Sequence, residues 1–349
     1  MEIRTLLEDE RELLLELLDF WELPDGWRGK DFFRRYIEID PAYRDDNVWL
    51  ACEGSRLLCC VQIFPRLVRV LDHDVPTGGI GSVFTHPEWR SSGLASSVLE
   101  AAVKDMLSRG MELSLLFAAR ESFYQRYGWN RFKSHRTVLR CADASAAASS
   151  SAASNSAISI ETLRPEEDMP AIREIHRGYS SGRTGTTVRD DALWEATLEM
   201  AGNPAEEFKV ARAEGTIVAY ARAALLEDVF QVTELGRSDR GSEALAALLV
   251  DLMQARDPDP LAPPGKSSRA LRSFAILPAF DDINLTVALE QRGVASHPVE
   301  DPSAMLRCLD ADALARRLGT TRFPGEEASQ FLERILPLDG MVFWPADRF

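Results

Sequence analysis

Arg90-Ser91-Ser92-Gly93-Leu94-Ala95-Ser96 sets one fixed cation and a run of small residues at the head of an amphipathic segment. If that segment is a helix, its first N–H groups have no partner within it, and the helix dipole adds partial positive charge there. Ser91, Ser92, Gly93 and Ala95 leave room for an anion to approach those N–H groups, and Arg90 adds a forked, permanently charged donor. The chemistry this suits is the binding of a pyrophosphate. The glycine spacing fits neither the Walker loop nor the dinucleotide fingerprint. Further along, Phe123-Tyr124-Gln125-Arg126-Tyr127-Gly128-Trp129 carries two phenols. A phenol, with an ordinary pKa near 10, can give its proton to a departing anion as a general acid. At about 100° per residue the two phenols fall near one helix face. Gly128 is expected to end that helix, which makes Tyr127 the better packing residue and Tyr124 the better candidate for chemistry. A tyrosine that only packs on the sheet is the alternative for Tyr124.

Positioning these groups takes a strand, a loop, a helix and a second strand. Ile80 to Thr85 is β-branched at Ile80, Val83 and Thr85 and reads as a strand. His86-Pro87 stops it, since proline donates nothing to a ladder. Leu94, Val98, Leu99, Ala102, Val103, Met106 and Leu107 then repeat at helical spacing, with Glu100, Lys104, Asp105 and Arg109 on the other side. Gly110 is a helix stop, and Leu113 to Ala118 reads as a buried strand.

Val83-Phe84-Thr85-x-Pro87-x-x-Arg90-x-x-Gly93-Leu94-Ala95 resembles the acetyl-CoA motif of GNAT-superfamily acyltransferases, whose usual form is Q/R-x-x-G-x-G/A. The stretch Glu121 to Trp129 resembles the second GNAT motif, in the form found in the tandem-GNAT, Eis-like group. The resemblance implies an N-acetyltransferase that uses acetyl-CoA as co-substrate and no metal, with a sheet whose central strands splay to admit the pantetheine arm. It implies that the arm pairs with backbone along Val83, Phe84 and Thr85, that Arg90 to Ser96 hold the pyrophosphate, and that Ala119 and Arg120 approach the cofactor. It makes Tyr124 the general acid. Eis-like proteins place their terminal carboxylate in the active site as base, which implies that role for Phe349; a tail that packs on the second domain is the alternative. A non-catalytic acyl-CoA sensor or scaffold, and an acyl or aminoacyl transferase of another tandem-GNAT type, are the other functions such a chain admits.

The 349 residues suit two domains on length. With 40 basic and 55 acidic residues the net charge is −15, which disfavours nucleic acid as a partner and suits a cationic amine acceptor, although acidity also serves solubility alone. Cys52, Cys59, Cys60, Cys141 and Cys308 form no C-x-x-C pair and suit free thiols in a reducing compartment. The first residues are acidic rather than apolar and no run reaches membrane-spanning length, so a cytoplasmic protein without membrane contact is expected. Self-association is left open.

The fold class expected is α/β of the α+β kind, two tandem GNAT-like domains with mostly antiparallel mixed sheets. The boundaries read as 1–141 for the catalytic domain, 142–157 for a linker of Ala and Ser, 158–309 for a second domain and 310–349 for a C-terminal extension. In the first domain, Ile3 to Leu7 is a strand and Glu8 to Phe20 a helix with Leu13, Leu14, Leu17 and Leu18 inward. A second helix spans about Asp31 to Ile39, and Val48 to Glu53 with Leu57 to Phe64 form a hairpin around Gly54-Ser55. Asp72-His73-Asp74 reads as a turn, and Thr137 to Arg140 as the domain's last strand. By the resemblance, the segment between the helices borders the acceptor pocket, so Trp21, Asp25 and Trp27 are candidates to line it, against the plainer reading of cap and core.

After the linker the pattern restarts. Ile160-Glu161-Thr162-Leu163 echoes Ile3-Arg4-Thr5-Leu6, Arg240-Gly241-Ser242-Glu243-Ala244 echoes the phosphate loop, and Leu289 to Gly293 echoes Tyr124 to Gly128. Glu243 stands where Gly93 does and would repel a pyrophosphate, and Leu289 has no proton to give. The second copy therefore reads as a degenerate domain supporting the first. His176 and His297 lack metal-ligand spacing and read as surface or capping residues. Met305 to Asp310 reads as a strand, and Ala311 to Leu318 and Glu326 to Ile335 as helices.

Overall fold

The computed structural model describes all residues except 24–26, 119, 133, 142–157, 201–205, 227–228, 256–269, 272–273, 279–281, 302, 337–340 and 348–349. The linker at 142–157 and the candidate site residues Asp25, Ala119 and Phe349 thus lie outside the described residues. In chain order the strands are β1 (Glu2–Thr5), β2 (Val48–Glu53), β3 (Arg56–Val70), β4 (His73–Thr85), β5 (Leu113–Phe117), β6 (Asn130–Arg131), β7 (Ser134–Cys141) and β8 (Ile158–Thr162). They continue as β9 (Glu207–Ala213), β10 (Thr216–Leu226), β11 (Val229–Arg237), β12 (Gln254–Ala255), β13 (Ala270–Leu271), β14 (Phe274–Pro278), β15 (Val294–Asp301) and β16 (Ala304–Cys308). The helices are α1 (Arg11–Leu18), α2 (Gly29–Glu38), α3 (Leu94–Ser108), α4 (Glu121–Gln125), α5 (Pro165–Ser181), α6 (Asp191–Met200), α7 (Ser242–Met253), α8 (Ile283–Glu290), α9 (Ala311–Arg317) and α10 (Ala328–Ile335).

Two seven-stranded sheets organise these elements, in the orders β1-β2-β3-β4-β5-β16-β6 and β15-β7-β14-β11-β10-β9-β8. The expected mixed α/β class with two tandem units is therefore present. Within each sheet the pairing is antiparallel except at one place, β4 with β5 and β11 with β14. The duplication read in the sequence is thus a duplication of topology.

The sheets do not respect the sequence division. Thr137 to Arg140, expected to close the first unit, belong to β7, which pairs with β14 and β15 in the second sheet. In return β16 pairs with β5 and β6 in the first. The physical reason lies in what covers β5: Met305 of β16 sits opposite Leu116, both fully buried, and the Phe132 N–H donates to Ala304 O at 3.0 Å. With that edge taken by β16, β7 finds its hydrogen-bond partners in the other sheet. The segment at 184–188 adds a further tie. Gly185 N–H donates to Arg69 O at 2.7 Å, Arg69 N–H to Thr186 O at 2.8 Å and Val188 N–H to Leu67 O at 2.8 Å.

Several local expectations need correcting. Asp72-His73-Asp74 is not a separate turn; His73 and Asp74 already pair with Val70 and Arg69, and Leu71 makes the bend with φ 52°. Leu13 and Leu107 are part-exposed, because Leu15 takes the inward position on α1 and α3 turns its last leucine to solvent. The remaining apolar positions read for α3 are buried. α4 ends at Gln125, ahead of Gly128, whose φ of 84° closes the following turn. His176 is no surface residue: it lies on the buried face of α5, with Nδ1 2.9 Å from the Tyr220 hydroxyl.

Because β16 and β7 stitch each unit into the other, both should unfold together. Met305→Ala removes a fully buried side chain at the exchange and should cost about 2–5 kcal/mol. Denaturant titration followed at two probes, one per sheet, should give coincident transitions with a lowered midpoint. Separate transitions for the two sheets would contradict the interlock.

Candidate active site

The parallel pairing of β4 with β5 covers only Thr77, Gly78 and Gly79 against Leu113, Ser114 and Leu115. Beyond Gly79 the two strands part, and β4 runs on to Thr85 bonded to β3 alone. A chain of hydrogen bonds fixes the base of the split: Trp129 Nε1–H donates to Ser114 Oγ at 3.2 Å, and Ser114 Oγ–H to Gly78 O at 2.7 Å. Gly78 lets α3 lie close, since a Cβ there would stand 2.1 Å from Met106 Sδ and would oblige that side chain to shift. On the free stretch Ser82 and Val83 together oppose Val61, which is a β-bulge. Ser82 takes φ 49° and is held by its hydroxyl on Gln62 Oε1 at 3.0 Å. A bulge re-aims the strand beyond it, here Val83, Phe84 and Thr85.

The loop after β4 runs over 86–93 and is exposed from Arg90 to Gly93. Ser91 has φ 63° and Gly93, the N-cap of α3, φ 85°. Among the described residues the N–H groups of Ser91, Ser92, Gly93, Leu94 and Ala95 have no acceptor, whereas Ser96 N–H already donates to Gly93 O at 3.1 Å. Arg90 makes no ion pair among the described residues; its guanidinium lies 5.7 Å from the Phe84 ring, which stacks on Trp21 at 5.5 Å. Arg90 and the free N–H groups of Ser91 to Ala95 are thus brought together at the head of α3, and the Ser96 N–H is spent on the helix. Trp21 packs on Phe33 and Phe84, and Trp27 stands against Phe32, so both are at least packing residues.

Tyr124 is half-buried on α4 among Phe123 and Trp129, with ring centroids 4.9 Å and 6.4 Å away. Burial first, and the neighbouring Cys59 second, push its phenol up to about 12. Cys59 is fully buried and accepts the Thr85 hydroxyl at 3.3 Å, so Thr85, Cys59 and Tyr124 meet at the open end of the split. Burial likewise pushes the Cys59 thiol up to about 11, which keeps it a small apolar residue at neutral pH. Arg120 is exposed at the N-cap of α4. Sequence reasoning missed Cys59, because a cysteine in an apolar run carries no signal of its neighbour across the sheet.

The corresponding place in the second sheet has another construction. β11 pairs with β14 only at Gln231 and Ile276, yet the connection to α7 runs only over 238–241. Arg237 at the end of β11 binds Asp282, the N-cap of α8, through two hydrogen bonds of 2.7 Å and 2.8 Å. This ion pair spans the mouth that stays open in the first unit. Glu243 pairs with Arg292 at 3.0 Å, and Leu289 is fully buried.

The last described residues run between the units. Val342 N–H donates to Thr184 O at 2.8 Å, Phe343 stands edge-on to Phe117 at 5.9 Å, and Trp344 is buried against Tyr179. Phe117 ends β5, so the tail lies beside the splayed strands. Among the described residues no group of three or more His, Cys, Asp or Glu is arranged to hold a metal ion, and no helix is long and apolar enough to cross a membrane.

Residues 3–132 match the family model described as acetyltransferase (GNAT) domain. No curated protein matches the sequence significantly. Among solved structures, the chain is similar to a probable N-acyltransferase from Enterococcus faecalis V583 (TM-score 0.67, 14% identity, covering 90% of this chain and 74% of that one). It is also similar to Eis1 from Mycobacterium abscessus (TM-score 0.62, 18% identity, 91% and 76% covered). A third likeness is to N-myristoyltransferase from Saccharomyces cerevisiae, solved with bound myristoyl-CoA (TM-score 0.52, 12% identity, 88% and 78% covered). At these identities the likeness is one of fold, and it extends over both units. Residues 3–132 therefore match the acetyltransferase (GNAT) domain, and the chain as a whole shares the tandem fold of structures such as Eis1.

Proposed function

We propose that the chain is an acetyl-CoA-dependent N-acetyltransferase acting on an amine. The observation that carries the reading is the split between β4 and β5, which leaves backbone of Val83 to Thr85 unpaired on one side and leads to the free N–H groups of Ser91 to Ala95. An extended pantetheine arm can add to that free edge as a short strand, and a pyrophosphate suits the helix start with Arg90 beside it. Arg120, with Ala119 beside it in sequence, would meet the cofactor from the β5 side. The amine nitrogen attacks the thioester carbonyl carbon, the C–S bond breaks, and the departing sulfur takes the Tyr124 proton. Holding both reactants in one split supplies much of the rate by orientation. The proton of the attacking amine goes to a base, for which we assign the Phe349 α-carboxylate; the tail beside Phe117 supports that choice. The net charge of −15 favours approach of a cationic amine. The same acidity supports the absence of nucleic acid and anionic membrane as partners. The Arg237–Asp282 bridge and the short loop at 238–241 support one cofactor site per chain, with the second unit degenerate.

The test is thiol release from acetyl-CoA against a panel of aminoglycosides, polyamines and lysine peptides. Tyr124→Phe should lower kcat by about 10²–10⁴-fold while acetyl-CoA binding is kept. Removing Phe349 should lower kcat without loss of acetyl-CoA affinity; full activity would make the tail structural. Binding of acetyl-CoA with turnover on no amine would favour the sensor reading. Titration calorimetry should give one acetyl-CoA per chain, and a second equivalent would refute the closed second site.

The pH profile tests the acid separately. A phenol pushed up to about 12 keeps its proton through the neutral and mildly alkaline range. The wild-type kcat should therefore show no descending limb from Tyr124 below about pH 11. A descending limb between pH 8 and 10 that disappears in Tyr124→Phe would contradict the upward shift and place the phenol at its ordinary value, whereas one that persists in Tyr124→Phe belongs to another group.

A further inference from the structure

In the second unit a group of charges is buried where no step of the proposed reaction needs it. Glu234 of β11 is fully buried and accepts from Arg189 Nη2 at 2.6 Å and from the Tyr220 hydroxyl at 2.8 Å. Arg189, whose side chain is wholly buried, donates through Nε to Asp347 Oδ1 at 2.7 Å and lies over the Trp194 ring at 4.4 Å. Burial works against both charges. The neighbouring carboxylates nevertheless raise the Arg189 pKa, and Arg189 foremost among the cations lowers that of Glu234. Asp347 in turn belongs to the tail that begins at Met341. One cavity is walled by Arg66, Thr77 and Phe117 of the first unit on one side and by Phe343, Trp344 and Asp347 on the other.

Such a cluster is a poor device for stability. Buried ion pairs are often no better than apolar residues of the same volume, and here Arg189 Nη1, Asp347 Oδ2 and Trp344 Nε1 have no partner among the described residues. What the cluster supplies is direction. Arg189 offers its fork along two fixed axes, one to a strand of the second sheet and one to the tail. Phe343 then holds the tail against Phe117, the residue from which the chain leaves β5 toward Arg120 and Tyr124, while Trp344 packs on Tyr179 of the second unit.

We propose that Arg189, anchored by Glu234, is a positioning residue for the reaction of the first unit: it clamps Asp347 and so fixes the tail as the wall of the cavity beside the β4–β5 split, where the amine acceptor is received. The second unit then has a defined task, which is to hold that wall. The proposal rests on the acyltransferase reading for the consequence on turnover, but not for the clamp itself.

The test uses the full chain and two variants, Arg189→Met and the near-isosteric Asp347→Asn, the second in case the first does not fold. Each should lower kcat/KM for the amine by about 10²-fold, the scale of a small misplacement, while the dissociation constant of acetyl-CoA is unchanged. Amide exchange in Asp347→Asn should accelerate at 341–347 and at 113–118 and nowhere else. Wild-type kcat/KM in a folded Asp347→Asn chain would overturn the proposal, as would unchanged exchange at both segments. A wild-type chain that transfers to no amine refutes the acyltransferase reading, and the exchange measurement then still decides the clamp. Asp347→Glu, which keeps the charge, should restore part of the lost kcat/KM; a loss as large as that of Asp347→Asn would count against the ion pair.

Discussion

The geometry of the candidate site depends on a parallel strand pairing that stops after three residues. Thr77 to Gly79 bond to Leu113 to Leu115, and past that point the strands have no reason to stay together. The bulge at Ser82-Val83 turns β4 one way, while β5 is drawn the other way by β16 on its far edge. Buried backbone groups are normally paired, so a stretch of unpaired strand backbone in the middle of a sheet is costly unless something else completes it. The hydrogen-bond chain Trp129–Ser114–Gly78 fixes where the split begins, and the close approach of Met106 to Gly78 fixes how tightly α3 lies over it. A change at any of these places moves the mouth of the split and the loop that carries Arg90 with it.

The two units share this geometry and diverge in how they finish it. In the first, a loop over 86–93 carries unpaired N–H groups to the helix start. In the second, a loop over 238–241 and the Arg237–Asp282 ion pair occupy the same place. A bidentate pair that is largely desolvated holds its shape, and breaking it would leave Asp282 charged and buried. The exchange of β7 and β16 binds the units beyond what a linker of Ala and Ser would require. It also gives the second unit a part in the first: β16 completes the sheet edge beside β5, and Arg189 holds Asp347 of the tail.

How much of this was legible in the sequence follows from what each signal depends on. The motif from Ile80 to Trp129 is local: helical spacing from Leu94 to Met106, a proline stop, small residues at the helix start and a tyrosine at a fixed offset. The structure keeps all of these, because each depends on backbone sterics and one amphipathic face. The duplication was legible for the same reason. The linker, Asp25, Ala119 and Phe349 lie outside the described residues.

The errors share a different cause. Thr137 to Arg140 look like a strand and are one, but which edge they join depends on whether another strand has taken the place beside β5, and no local pattern records that. His176 reads as a polar residue on a helix; only Tyr220 and Glu234 arriving from β10 and β11 make it a buried one. Cys59 beside Tyr124, and Arg189 on Asp347, are pairs far apart in sequence with no periodicity to announce them. The sequence by itself determined the elements, the duplicated topology and the small residues with free N–H groups at the head of α3, since these follow from interactions between neighbours along the chain. Tertiary structure alone decided which strand completes which sheet, which charges are buried together and what walls the site, since those outcomes rest on competition among distant segments for the same edge or cavity.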